Sequence, residues 1–522
     1  MLKRSLIAKL LPVAAVIGVL ALSFFASSVG LFGSLAGYGY GICGYGSNAF
    51  SGTATVTGVS PNTGSTGGGT TVFITGSGFC NTVSSVKFGT IAAASINVLA
   101  DTEIQAVTQA EAAGLVDVTV TNAAGTSATS TADQYTFVTP VPSVYTALTP
   151  QRIKDTRNSG GPLGQGGSLV LAIGGIYVPA NATSVVLNVT AVDQTTAGFF
   201  TVYPTGGSAP TASNLNWVAG QTIPNLVSVG LSSGGDVTIF NGLGSADAVV
   251  DLEGYFAPPT TGTSGEFVPL TPARITDTRN ITGNINKGKT LAAGTTLPVQ
   301  VTGAGGVPTS GVSAVVLNVT AVDQTANGFF TVFPAGAALP VASNLNWTPG
   351  VTVPNRVIVP VGVGGVVDIY NGLGSADAVV DVNGYITDSS AVGAHFTPVF
   401  PTRIKDTRNG PGAIGKIGAN STTNVQVTGA GGVPAGATAA VLNVTVANPT
   451  LESDLFVWPA DAAMPTAGSD LNFLPGDSVP NLVVVKLSTI ASTNPTGLPG
   501  SVNVYNPFGS TNLIVDVVGY FS

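Results

Sequence analysis

At 522 residues the chain is too long for one core, so several domains are expected. Only 8% of residues are charged, 44% are hydrophobic, and 69 Gly and 33 Pro follow no collagen period. This excludes a globally disordered chain and a collagen-like one, and β-branched residues between Gly, Pro and Asn predict short strands joined by turns.

The first element is an apolar run, Leu10 to Ala26, behind Lys3, Arg4 and Lys9. Small residues follow, with Ala26-Ser27-Ser28 or Ser34-Leu35-Ala36 as cleavage sites. Residues 1–36 read as an export signal. The competing reading is an uncleaved anchor, because the run is long enough to span a bilayer. Either way the rest is expected outside the cell or at its surface, touching a membrane only if the segment is retained. Without residues 1–36 the chain holds 14 basic against 25 acidic groups. The basic residues are scattered, so nucleic acid is not an expected partner. Residues 37–52 form a Gly/Tyr-rich leader. The chain has two cysteines, Cys43 and Cys80. An oxidising compartment permits their pairing, and two separate thiols remain the alternative.

Residues 53–139 hold alternating runs (TATVTGVSP, TTVFITGSGF, SSVKFGT, TEIQAVT, VDVTVTN), each closed by Gly, Pro, Asn or Asp. That is the pattern of an antiparallel sandwich with one apolar face per strand. Val59-Ser60-Pro61-Asn62-Thr63-Gly64, Thr75-Gly76-Ser77-Gly78-Phe79 and Val116-Asp117-Val118-Thr119-Val120 carry a resemblance to the IPT/TIG family of immunoglobulin-like domains. The resemblance implies a structural or binding module. The basic loops that a DNA-binding copy needs are missing.

A threefold repeat follows, over 145–257, 267–386 and 396–522. The copies open with TPQRIKDTRN, TPARITDTRN and PTRIKDTRN, and close with AVVDLEGYF, AVVDVNGYI and LIVDVVGYF. Each is the size of one β-sandwich or jelly-roll-like domain. The copies are similar to β-rich modules appended to secreted proteins of actinobacteria, which implies a location more than an activity. Linkers rich in Pro, Ser, Thr and Gly predict separately folded beads, spanning roughly 140 Å end to end. The fold class is therefore all-β, with one Ig-like domain and three homologous sandwiches in tandem.

Three groups of residues are candidates for a role. Arg152, Asp155 and Arg157 recur as Arg274, Asp277, Arg279 and as Arg403, Asp406, Arg408. They fit a structural clamp against the closing Asp251, Asp381 or Asp516, because an unpaired buried charge is costly. The competing role is capture of an acidic or glycan ligand. The SNLNW strings (Asn214, Asn216, Trp217; Asn344, Asn346, Trp347; Asn472, Phe473 in the third copy) place an aromatic beside amides, as sugar-binding sites do. The same strings also fit a core aromatic with turn-fixing asparagines. Asn188, Asn318 and Asn443 match a glycosylation sequon but lie mid-strand.

His395 is the sole histidine. No triad, metal-ligand spacing or phosphate loop stands out, so neither an enzyme nor a cofactor or metal site is expected, and calcium on loop Asp and Asn residues stays open without a specific motif. Three functions stay open: a structural or adhesive surface protein, a carbohydrate- or cell-wall-binding protein, and a subunit of a surface assembly. The expected partners are surface polysaccharide or other surface proteins.

Overall fold

Alternation in the first domain becomes two sheets packed face to face. The computed structural model describes residues 52–522, apart from 207, 208, 261, 263, 410, 466, 467 and 494. The expected export segment and Cys43 lie outside these residues, and Cys80 is disulfide-bonded. One sheet orders the strands Thr55–Ser60, Thr71–Ser77, Glu103–Val107 and Ser95–Ala100. The other runs from Thr63–Ser65 through Gln134–Val138, Gly114–Asn122 and Ser85–Phe88 to Ile91–Ala92. Val72, Ile74, Ile104, Ala106, Val118 and Val120 point inward at every second position. Phe88, Tyr135 and Phe137 close the core with edge-to-face contacts, centroids 4.9–6.3 Å apart.

Each repeat is also a two-sheet sandwich. In the first, the inner sheet orders an opening strand (Val144–Asp155), a closing strand (Asp247–Ala257), a central strand (Ser184–Val192) and a Pro-Asn strand (Ile223–Gly230). The outer sheet orders Ser168–Ala172, Asp236–Asn241, Gly198–Pro204 and Leu215–Trp217. The same two orders recur in the second and third repeats, with Val312–Val322 and Ala439–Ala447 as central strands. The chain is all-β, a tandem of β-sandwiches.

The expected beads on a string are corrected by the structure. Every residue of the central strand Ser184–Val192 is buried. Val185, Leu187 and Val189 fill that repeat's own sandwich. The opposite face meets the other two repeats. Val186, Val316 and Val441 share one core with Leu226, Ile358 and Val484, and with Tyr145, Phe256, Phe267, Phe396 and Phe521. The rings of Phe256 and Phe396 stack at 4.0 Å, and Phe267 and Phe521 lie at 4.4 Å. A sheet apolar on both faces must be covered on both, and here the second cover is the sister repeats. The linkers take part as well. Ser143 pairs with Phe396 and Phe267 with Ala394 through isolated backbone bridges, and Tyr145 N–H donates to the Gly265 carbonyl at 2.7 Å.

A bulge in each closing strand aims one residue at the neighbouring repeat. Val186 faces Gly254 while Leu187 faces Leu252, which leaves Glu253 unpaired; Asn383 and Val518 are left out in the same way. The glycine beside the bulge has no room for a side chain. A Cβ at Gly384 or Gly519 would meet the Phe267 or Phe396 ring at 2.3 Å.

Candidate functional site

Where the repeats meet, an asparagine network runs in one rotational sense. Asn188 Nδ2 donates to the Ser343 carbonyl at 2.6 Å, Asn318 to Ser469 at 2.6 Å, and Asn443 to Ser213 at 2.7 Å. Asn355, Asn481 and Asn225 then donate to the side-chain oxygens of Asn188, Asn318 and Asn443. The repeats thus form a ring with threefold pseudo-symmetry, first to second to third to first. These asparagines are buried polar groups partnered across boundaries, so the sequons at Asn188, Asn318 and Asn443 lie within the interior.

The boundaries differ in chemistry. At the first, Asn344 donates to buried Glu253 at 3.2 Å. Burial, then the charge of Asp251, pushes the Glu253 carboxyl well above its ordinary range. At the second, Arg356 is fully buried where the other repeats carry Leu226 and Leu482. It donates to the Leu482 carbonyl at 3.1 Å, to Asn383, and to Asp470 at 2.7 Å. Asp470 stands where the other repeats have Asn214 and Asn344, so the two departures from the repeat pattern answer each other. Burial disfavours both charges, raising Asp470 and lowering Arg356 against their mutual attraction.

The recurring Arg–Asp groups are held by geometry. Arg152 is the cross-strand neighbour of Asp251 and contacts both its oxygens, at 2.8 and 3.0 Å. Arg274 meets Asp381 at 2.9 and 3.1 Å, and Arg403 meets Asp516 at 2.8 and 3.1 Å. Arg157, Arg279 and Arg408 turn back onto Asp155, Asp277 and Asp406 at 2.6–2.7 Å. The Arg157 hydrogen bond holds the Asp155 carboxyl below the usual range.

The aromatic-amide strings do not form a sugar platform, which corrects the glycan reading of these residues. Trp217, Trp347 and Phe473 are each 4% exposed and belong to the cores of their own repeats. A ring with no free face cannot stack on a pyranose. Trp217 packs edge-on against Phe200 at 4.6 Å, and its indole N–H donates to the Thr196 carbonyl. Asn214 and Asn344 accept from the Val202 and Val332 amides at 2.7 Å, securing a short edge strand. Asn216, Asn346 and Asn472 are half-buried, and Asn346 and Asn472 accept from Ser343 and Ser469 at 2.9 Å.

Sequence reasoning missed a cavity of about 340 Å³ between the second and third repeats. Arg274, Arg279 and Thr320 line one side, and Asp454, Phe456 and Asn472 the other. Asp454 is half-buried, and its carboxylate is met by its own backbone amide, with no side-chain hydrogen bond or ion pair among the described residues. Burial pushes its pKa up to about 6. The other repeats carry Phe199 and Phe329 at this position, laid on Gly242 and Gly372, where a Cβ would sit 2.0–2.1 Å from the ring. The third repeat has Pro507 in place of that glycine, so the bed for the ring is gone. A larger crevice of about 560 Å³, lined by Pro61, Val138, Pro204, Leu231 and Phe400, separates the first domain from the repeats. Among the described residues no group of three or more His, Cys, Asp or Glu is placed to hold a metal.

Residues 54–137 match the IPT/TIG domain family. The TIG domain therefore accounts for the first sandwich, and the repeats lie outside that match. Among solved structures, similarity extends to a surface glycan-binding protein, SGBP-B, from the mixed-linkage glucan utilization locus of Bacteroides ovatus, in complex with a mixed-linkage heptasaccharide. It is 12% identical, with 37% of this chain and 50% of that chain covered and a TM-score of 0.18. SGBP-B from a complex xyloglucan utilization locus in Bacteroides uniformis is 12% identical, with 64% and 99% covered and a TM-score of 0.17. The triple jelly roll fold of an archaeal virus turret assembly is 10% identical, with 73% and 90% covered and a TM-score of 0.17. Scores this low carry no functional weight. No curated protein matches the chain.

Proposed function

We propose that the chain is a non-catalytic extracellular protein that binds neutral polysaccharide, with the three fused repeats as a rigid head. The observation that supports this is the state of its arginines. All seven among the described residues are in ion pairs with aspartates. The guanidinium forks that would grip phosphate or uronate are occupied. Six lysines remain in the repeats, but they are scattered single ammonium groups that offer no two-pronged fork, so the head's hydroxyl and amide groups suit an uncharged, hydroxyl-rich polymer. The disulfide at Cys80 fits an oxidising, extracellular compartment.

The test is co-sedimentation of the full chain with cellulose, chitin, xylan and pectate at 0.05 and 0.5 M NaCl. Retention on a neutral polymer, unchanged by salt, is expected. Retention on pectate alone, or loss of retention with salt, would overturn the reading. The shared core also favours a second reading, a load-bearing adhesive or surface-assembly subunit. Ordered self-assembly of the purified chain would support it.

A further inference from the structure

We infer that the cavity between the second and third repeats is a subsite for one neutral pyranose ring, held by Asp454 and Asn472 with Phe456 against its C–H face. This rests on the polysaccharide reading and names the site for it.

The third repeat departs from its sisters on this wall by a coupled change. Positions 199 and 201, and 329 and 331, read Phe then Thr, while 454 and 456 read Asp then Phe. Residues two apart share one face of a strand, so the aromatic has moved along the same face and left an acid in its place. Pro507 accompanies the change. A half-buried carboxylate met only by its own backbone amide still costs stability, which a structural role would have repaired with a side-chain partner. The nearby cations do not repair it, because Arg274 is held by Asp381 and Arg279 by Asp277. An open acceptor beside an amide and an aromatic face is satisfied by a ring bearing hydroxyls.

Size and charge narrow the ligand. About 340 Å³ is near the lower end of small-molecule pockets, which run from about 300 to 1,000 Å³. One sugar unit fits that volume better than a long chain segment does. The two arginines face Asp277, Asp381 and Asp454, and Asp323 and Asp377 add negative field at Arg279. The local balance is negative, so a uronic acid is rejected and an uncharged hexose is accepted.

The test uses the full chain and saturation-transfer NMR with methyl glycosides of glucose, galactose, mannose, N-acetylglucosamine and glucuronic acid. Co-sedimentation with the polysaccharides runs in parallel. At least one neutral glycoside should bind and the glucuronide should not. Asp454→Phe should abolish binding, and the near-isosteric Asp454→Asn should weaken it about tenfold or more, the scale of a lost charge-assisted hydrogen bond. Thermal midpoints no lower than that of the wild-type chain would certify both folds. Glycoside binding unaffected by either variant sinks the subsite but leaves the polysaccharide reading intact. The same holds if wild-type protein is retained on polysaccharide yet binds no glycoside. Binding of neither sinks both, and a preference for the glucuronide overturns the neutral-ring assignment.

Discussion

The TIG domain and the repeats solve the same packing problem differently. In the TIG domain, strands such as Glu103–Val107 alternate between buried and half-buried residues, and one core drawn from that domain alone is sufficient. In the repeats, the central strands are buried nearly throughout, and a second core is assembled from all three copies. A sandwich with one wet face can stand alone, whereas one whose inner sheet is apolar on both faces needs a neighbour. The repeats should therefore unfold together, in a calorimetric transition separate from that of the TIG domain.

The strongest way to break this division is Arg356→Leu, which strands Asp470 in the interior. The repeat transition should lose about 3–5 kcal/mol, the usual cost of removing one partner of a buried pair, while the TIG transition stays put. Adding Asp470→Asn recreates the Leu and Asn residue types of the other two boundaries, and should bring stability back to within about 1 kcal/mol. A double mutant no better than the single one would show that the pair is not the lock it resembles. Somewhat smaller is Ile74→Ala in the TIG core. Here about 2–4 kcal/mol should leave the TIG transition alone. If both transitions shift together, the two regions are one cooperative unit.

The smallest effect concerns Asp454. Burial raises its pKa from the ordinary 3.8 to about 6, so the folded state favours the protonated form. Stability is therefore higher below pH 4 and falls as pH rises through 6. Asp454→Asn should stabilise the repeats by about 1–2 kcal/mol at pH 7–8 and by nothing below pH 4. Solvent screening of this half-exposed group keeps the gain below the full value of the shift. A pH-independent gain in calorimetric scans would assign the effect to something other than this carboxyl.

Much of this was legible in the sequence. Alternation announced the TIG sandwich, and three copies of one pattern announced three sandwiches. Closure of the ring was not read, although a trace of it is present. VVLNVTAV is a near-continuous apolar run, the signature of a strand covered on both faces. Asn225, Asn355 and Asn481 recur at one register, but nothing local shows that their partners belong to another copy. The bulge residues Glu253, Asn383 and Val518 share no chemistry, so no motif marks them. The cavity was equally hidden. Asp454 looks like ordinary variation until the glycine that seats Phe199 or Phe329 is found to be Pro507.

The closing-strand bulge also bears on how such a chain can be edited. Each junction has its own tumbler: Glu253 with Asn344, Asn383 beside Arg356 and Asp470, and an apolar Val518. If the second and third modules traded places, Arg356 would face Asn214 and Leu226 would face Asp470. Shuffling is thus penalised although the three backbones are interchangeable, and the module order is inherited as a unit.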